Sequence, residues 1–218
     1  MKIECKNKMD WLDVRSTVIT ATEASSMFAI NPYGSVHKML DQKRNPDFIE
    51  NAYTRLGHVL EPAIVKAVNM LLDKKFVDPP GIQFYKHEAA ALGATPDAID
   101  GPWLLECKST GPKKFENEWV DSPPIYYILQ VHVQMICSGV KKAYIAGMST
   151  DQTPTSFQSP LPLRIFQVHY NKELEKIVLE RANYAYSCLT DGTKYVHDRE
   201  LNTHVKKLLL NSTTGIEV

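Results

Sequence analysis

Apolar residues recur at helical spacing along residues 51–74, where Leu60, Ile64, Val68, Leu71 and Leu72 fall on one side of a helix. Pro62 lies inside this run and is expected to start or kink it. Helical patterns also cover residues 124–138 and 172–189. Short apolar runs at residues 82–85, 98–99, 103–108, 143–148 and 163–169 read as strands. Near the start, Thr20-Ala21-Thr22-Glu23 has the spacing of a capping box, with a short helix expected through about Ala29. Asn31-Pro32-Tyr33-Gly34 breaks it, and a second short helix is expected from Ser35. Residues 151–162, rich in Ser, Thr and Pro, read as an exposed loop, and the pattern after Tyr195 assigns no element.

The order is helices, antiparallel strands, a helix, more strands and a helix. This predicts an α/β fold with a central mixed sheet flanked by helices. No repeat, low-complexity tract or linker divides the chain, so residues 1–218 are expected to form one domain. The motifs described below occupy about 11–148, and residues 160–218 supply a C-terminal strand and helices.

Composition refines this picture without redirecting it. Hydrophobic residues make up 44% of the 218, enough for a substantial core. The 25 Lys and Arg balance the 25 Asp and Glu, so a nucleic-acid partner would need a local basic surface rather than a global field. Cys5, Cys107, Cys137 and Cys188 form no C-x-x-C pair, which points to free thiols in a reducing compartment rather than to zinc. Without an apolar leader or a bilayer-length apolar run, the expected location is cytoplasmic, with no membrane partner.

The chemistry begins at residues 103–110, WLLECKST, where alternation puts Glu106 and Lys108 on one face of a strand and Leu105 and Cys107 on the other. A hairpin turning between Gly101 and Pro102 would set Asp97 across from Glu106, and opposed carboxylates destabilise a hairpin unless a cation lies between them. Glu61 falls within the apolar stripe of the long helix formed by Gly57, Ile64, Val65, Val68 and Leu72. A buried carboxylate there calls for a metal ion or a lysine. Tyr127, Gln130 and Gln134 stand at i, i+3 and i+7, a polar seam that would order water, touch phosphate or simply face solvent. Oxygen ligands without paired histidines favour magnesium or manganese over zinc. Cys107 reads as core packing, and His58, His87, His132 and His169 as structural or surface residues.

Asp97 followed by Glu106-Cys107-Lys108, in TPDAIDGPWLLECK and with Glu61 upstream, resembles the PD-(D/E)xK nuclease core. With WLDVRSTVITATEASSMF, RLGHVLEPA and YYILQVHVQM in the same order, the chain from about Trp11 to Met148 resembles the YqaJ-like, lambda-exonuclease-type phage recombination nucleases. The resemblance implies a Mg2+-dependent exonuclease, with Mn2+ able to substitute. Such an enzyme degrades the 5′-ended strand of duplex DNA and leaves a 3′ strand for a single-strand annealing protein. It also implies a homotrimer of phage or prophage origin acting in a bacterial cytoplasm.

By the same resemblance, Asp97, Glu106 and the backbone carbonyl of Cys107 bind metal. Glu61 adds a ligand directly or through water, and Lys108 orients or activates the attacking water. Gln130 is the motif glutamine with Tyr127 nearby, and Arg15, Thr22 and Thr95 hold a terminal 5′-phosphate; from the polar seam, Tyr127 and Gln134 are expected to contact DNA. The family often has serine where this chain has threonine. Two other readings are an endonuclease or single-strand nuclease with the same core, and a non-catalytic DNA-binding scaffold.

Overall fold

The computed structural model describes residues 1–46, 52–77, 81–150 and 162–217. Strand β1 (Lys2–Cys5) leads into helix α1 (Lys8–Ser16), which Asn7 caps by accepting from the backbone N–H groups of Met9 and Asp10. Strand β2 (Ile19–Thr20), the short helix α2 (Ala24–Met27), helix α3 (Val36–Arg44) and the long helix α4 (Ala52–Leu72) follow. Strands β3 (Ile82–Lys86), β4 (Leu92–Ala94), β5 (Ala98–Asp100) and β6 (Trp103–Thr110) run to helices α5 (Pro112–Glu118) and α6 (Ile125–Ser138). Strands β7 (Lys142–Ser149) and β8 (Leu163–His169) precede helices α7 (Lys172–Asp191) and α8 (Arg199–Leu210), and β9 (Thr213–Ile216) closes the order.

The strands form two mixed sheets where one was expected. The first has the order β1-β3-β4-β2 and the second β5-β6-β7-β8-β9. The break falls at Thr95-Pro96, between β4 and β5, where proline offers no N–H to a ladder. All five strands expected from apolar runs are present. The four that were missed are two to four residues long, too short to display a period.

Helix α4 runs continuously through Pro62 rather than starting there. Pro62 is exposed, so the carbonyl left without a partner by the missing N–H can turn to water. Ile64, Val65 and Val68 are buried against Leu105, Cys107 and Ala146, whereas Leu71 of the expected stripe is exposed. At the N-terminus the capping box is half realised. Glu23 accepts from the backbone N–H of Thr20 at 2.8 Å, but α2 begins only at Ala24 and ends at Met27. The expected loop at 151–162 lies outside the described residues except for Pro162.

Helix α6 positions the site. It touches β3 and β4 of the first sheet and β7 and β8 of the second, and every residue from Ile128 to Cys137 is buried. Gly139 ends it in the left-handed conformation, φ 80°, which glycine adopts without a Cβ clash. Two glutamines within such a helix need polar partners inside the protein.

Candidate active site

The hairpin register places Ala98 opposite Leu105, Ile99 opposite Leu104 and Asp100 opposite Trp103. One step further along both strands brings Asp97 level with Glu106. The Asp97 carboxylate accepts from the backbone N–H of Cys107 at 2.7 Å. Desolvation, joined by the charges of Glu106 and Glu61, pushes the Asp97 carboxyl well above the usual range, against the opposing pull of Lys108 and of that N–H.

Glu106 is 1% exposed and faces α6, while Leu105 and Cys107 face α4 across the sheet. Gln130 donates to its Oε1 at 2.5 Å and Gln134 to its Oε2 at 2.5 Å. Lys108 pairs with the same Oε1. Desolvation works against the Lys108 ammonium, but Glu106 and Asp97 outweigh it and raise its pKa, so lysine is cationic beside the carboxylates. Its Nζ lies 4.9 Å from the centre of the Tyr127 ring, within cation–π range.

The polar seam of α6 is therefore a set of inward-facing donors and not a solvated face. Gln134 is fully enclosed, with its amide committed to Glu106 and, at 3.3 Å, to the carbonyl of Thr95. The Gln134 side chain, expected to contact DNA, is directed to Glu106 within the fold.

Arg15 and Thr95 meet through Trp11 where the first sheet ends, and Thr22 lies just beyond β2. Parallel pairing of β2 with β4 sets Ile19 beside Leu92 and Thr20 beside Gly93, so the chain leaves both strands on the same side. Arg15 lies over the Trp11 ring at 4.3 Å, and the Trp11 indole donates to the Thr95 hydroxyl at 3.0 Å. Thr22 is exposed and shares a 3.1 Å hydrogen bond with Thr20. Desolvation lowers the Arg15 pKa and the charge of Glu23 offsets it, leaving a guanidinium that is cationic throughout the physiological range. Trp11, which joins Arg15 to Thr95, carried no sequence signal beyond its place in a motif block.

Four other expectations concern histidine and cysteine. His132 is fully buried and His58 is mostly exposed, both compatible with structural or surface roles. All four cysteines are buried free thiols. Desolvation and the neighbouring carboxylates push the Cys107 thiol well up, so it packs as a neutral side chain.

Among the described residues, no group of three or more His, Cys, Asp or Glu side chains is arranged to hold a metal ion. Glu61 sits on α4, whose Ile64, Val65 and Val68 pack against the face of β6 that carries Cys107, while Glu106 points to α6. Glu61 reaches Asp97 and Cys107 through its charge and lies 3.9 Å from His58. Asp97 and Glu106 form an adjacent pair, and the charge of Glu61 is felt at Asp97. A pair of carboxylates still suits Mg2+, which usually keeps several waters and takes one or two carboxylates. Two carboxylates, Asp97 and Glu106, stand beside the single ammonium of Lys108, and a divalent cation would offset their charge.

The chain matches the YqaJ-like viral recombinase domain over residues 10–141. Its fold is similar to that of an alkaline exonuclease, LHK-Exo, from Laribacter hongkongensis, at 17% identity and a TM-score of 0.67, covering 92% of this chain and 100% of that one. The same exonuclease in complex with dAMP matches equally. A phage-related exonuclease from Haemophilus somnus 129PT is similar at 13% identity and a TM-score of 0.59, covering 81% of this chain and 96% of that one. A search of curated proteins found no match. No helix among the described residues is long and apolar enough to cross a membrane. The match spans more than half of the 218 residues, and the chain belongs to the family of YqaJ-like viral recombinase domains.

Proposed function

We propose that this protein is a DNA exonuclease that uses a divalent metal, Mg2+ or in its place Mn2+, to resect the 5′-ended strand of duplex ends. The observation that carries this reading is the placement of Asp97, Glu106 and Lys108 on one β-ribbon, with both oxygens of Glu106 held by glutamines. Family membership supports a recombination role.

Asp97, Glu106 and the Cys107 carbonyl would hold the metal, and Glu61 would add a water-mediated contact. When bound, the metal supplies charge neutralisation at the scissile phosphate and a more acidic water. Lys108 is an ammonium in this setting, so it orients the attacking water and stabilises developing negative charge rather than removing the proton. Water adds to phosphorus, the bond from phosphorus to the 3′ oxygen breaks, and that oxygen leaves with a proton. The products are a mononucleotide and a strand with a fresh 5′-phosphate. Arg15, Thr22 and Thr95 would receive that new phosphate, which makes repeated cleavage from one end chemically self-consistent. The 3′ strand left behind suits a single-strand annealing partner, and a homotrimer would keep the enzyme on its substrate.

The test is digestion of linear duplex labelled at either the 5′ or the 3′ end, with Mg2+, alongside a covalently closed circle. Early release of the 5′ label, with the circle intact, is the expected result. Cleavage of the circle would replace this reading with an endonuclease, and no metal-dependent release from any substrate would leave a DNA-binding scaffold.

A further inference from the structure

A continuous run of aromatic rings leads from the catalytic lysine to the protein surface. The Tyr127 ring lies under the Lys108 ammonium, Tyr126 packs on Tyr127 with ring centres 4.3 Å apart, and Tyr33 meets Tyr126 edge-on at 5.9 Å and 84°. Tyr33 ends the run and is 64% exposed. Lys114, on α5, bonds the Tyr33 hydroxyl and stands 5.0 Å from the Tyr33 ring and 5.5 Å from that of Tyr126. Glu118 lies 3.6 Å from Lys114, so the ammonium is tethered beside the rings.

Tyr33 is not loosely presented. The Asn31 side chain accepts from the Tyr33 backbone N–H at 2.9 Å and donates to the buried Ser26 hydroxyl at 2.8 Å. Two positions on, Ser35 caps α3. The ring is thus held outward between two anchored segments, at little further entropic cost on binding.

We propose that Tyr33, with Tyr126 and Lys114, forms a stacking site for a nucleobase of single-stranded DNA, within a few nucleotides of the reacting phosphate. An exposed aromatic face with an ammonium alongside matches the two features of a nucleotide, a π-surface and an anionic phosphate. Continuity with Lys108 through Tyr126 and Tyr127 places the site on the path of the strand being processed. The proposal rests on the nuclease reading above.

The experiment compares the wild-type protein with Tyr33→Ala and Tyr33→Phe, without added metal so that no strand is cut. Anisotropy of a labelled single-stranded oligonucleotide is set against an abasic oligonucleotide of the same length. Tyr33→Ala is expected to weaken binding of the base-bearing strand by about tenfold, with abasic binding unchanged and with Tyr33→Phe close to wild type. Equal binding of the base-bearing strand by wild type and Tyr33→Ala would overturn the proposal. So would an equal loss on both oligonucleotides, which would mark a general structural or electrostatic effect. Failure of the nuclease reading is read separately, from wild-type digestion of linear duplex with Mg2+. A protein that digests DNA but shows no effect at Tyr33 sinks this inference alone.

Discussion

The Gln134 amide lies 2.5 Å from Oε2 of Glu106 and donates to it from within the buried face of α6. The same nitrogen lies 3.3 Å from the carbonyl of Thr95, whose hydroxyl accepts from Trp11, the residue on which Arg15 stacks. A single buried glutamine therefore links the carboxylate centre to the cluster around Arg15. Groups that orient a metal-binding carboxylate commonly matter almost as much as the ligand.

Replacing that amide with a similar-sized apolar side chain, Gln134→Met, should leave one carboxylate oxygen without its donor in a dry setting. The expected cost is about 1.5–3 kcal/mol of stability, the range for a hydrogen bond to a charged group. Mn2+ binding to the free protein should weaken by about tenfold or more. Calorimetric titration with Mn2+ and urea denaturation check both effects. Unchanged Mn2+ affinity in a folded variant would show that Gln134 does not position Glu106.

Lys108→Ala should lower the rate of cleavage by at least about a hundredfold, in the range assigned to one positioned proton-transfer or charge-stabilising group, while affinity for duplex DNA is largely kept. The variant also deprives Asp97 and Glu106 of their ammonium, which should favour a divalent cation over the empty pair. The expected signature is lost turnover with Mn2+ binding retained. Full activity in purified Lys108→Ala protein would remove lysine from the mechanism.

Much of this site was legible before any coordinates. Alternation along residues 103–110 set Glu106 and Lys108 on one face, and the Gly101 turn fixed the register that brings Asp97 beside them. These are short-range consequences of strand geometry, which a sequence states directly. What could not be read depends on which layers meet. The helical wheel placed Glu61 on the inward stripe, but only the packing of α4 shows that this stripe meets the Cys107 face of β6. The same limit applied to Gln134 itself, because a glutamine on an amphipathic pattern reads as solvated until a second sheet covers it. The split into two sheets has no sequence signature because β2 and β4 contribute only two and three residues.

Arg15→Ala should reduce the preference for 5′-phosphorylated over 5′-hydroxyl ends by about tenfold, in line with the loss of a charge-assisted hydrogen bond. The Trp11 ring and the Thr95 hydroxyl would remain, so overall folding should change little. Initial rates on matched duplexes that differ only at the 5′ terminus give the ratio. An unchanged ratio would mean that Arg15 serves its stacking partner Trp11 and not a phosphate.

His132 predicts a pH dependence that has nothing to do with catalysis. Its imidazole is fully enclosed on α6, both ring nitrogens lack a hydrogen-bond partner among the described residues, and burial, with a smaller contribution from His169, holds its pKa down at about 3. In the unfolded chain the ring titrates near the ordinary value of 6.5. Below that pH the unfolded state binds a proton that the folded state refuses, so stability is lost as pH falls from about 6.5 towards 3. The slope should approach about 1.4 kcal/mol per pH unit from this residue alone. His132→Leu removes the titration while filling most of the volume. Urea denaturation at pH 7 and pH 5 should therefore show a loss on acidification that is smaller in His132→Leu than in the wild type by about 2 kcal/mol. Equal losses in the two proteins would mean that the ring finds a proton acceptor once the core is protonated, and that acid sensitivity arises elsewhere.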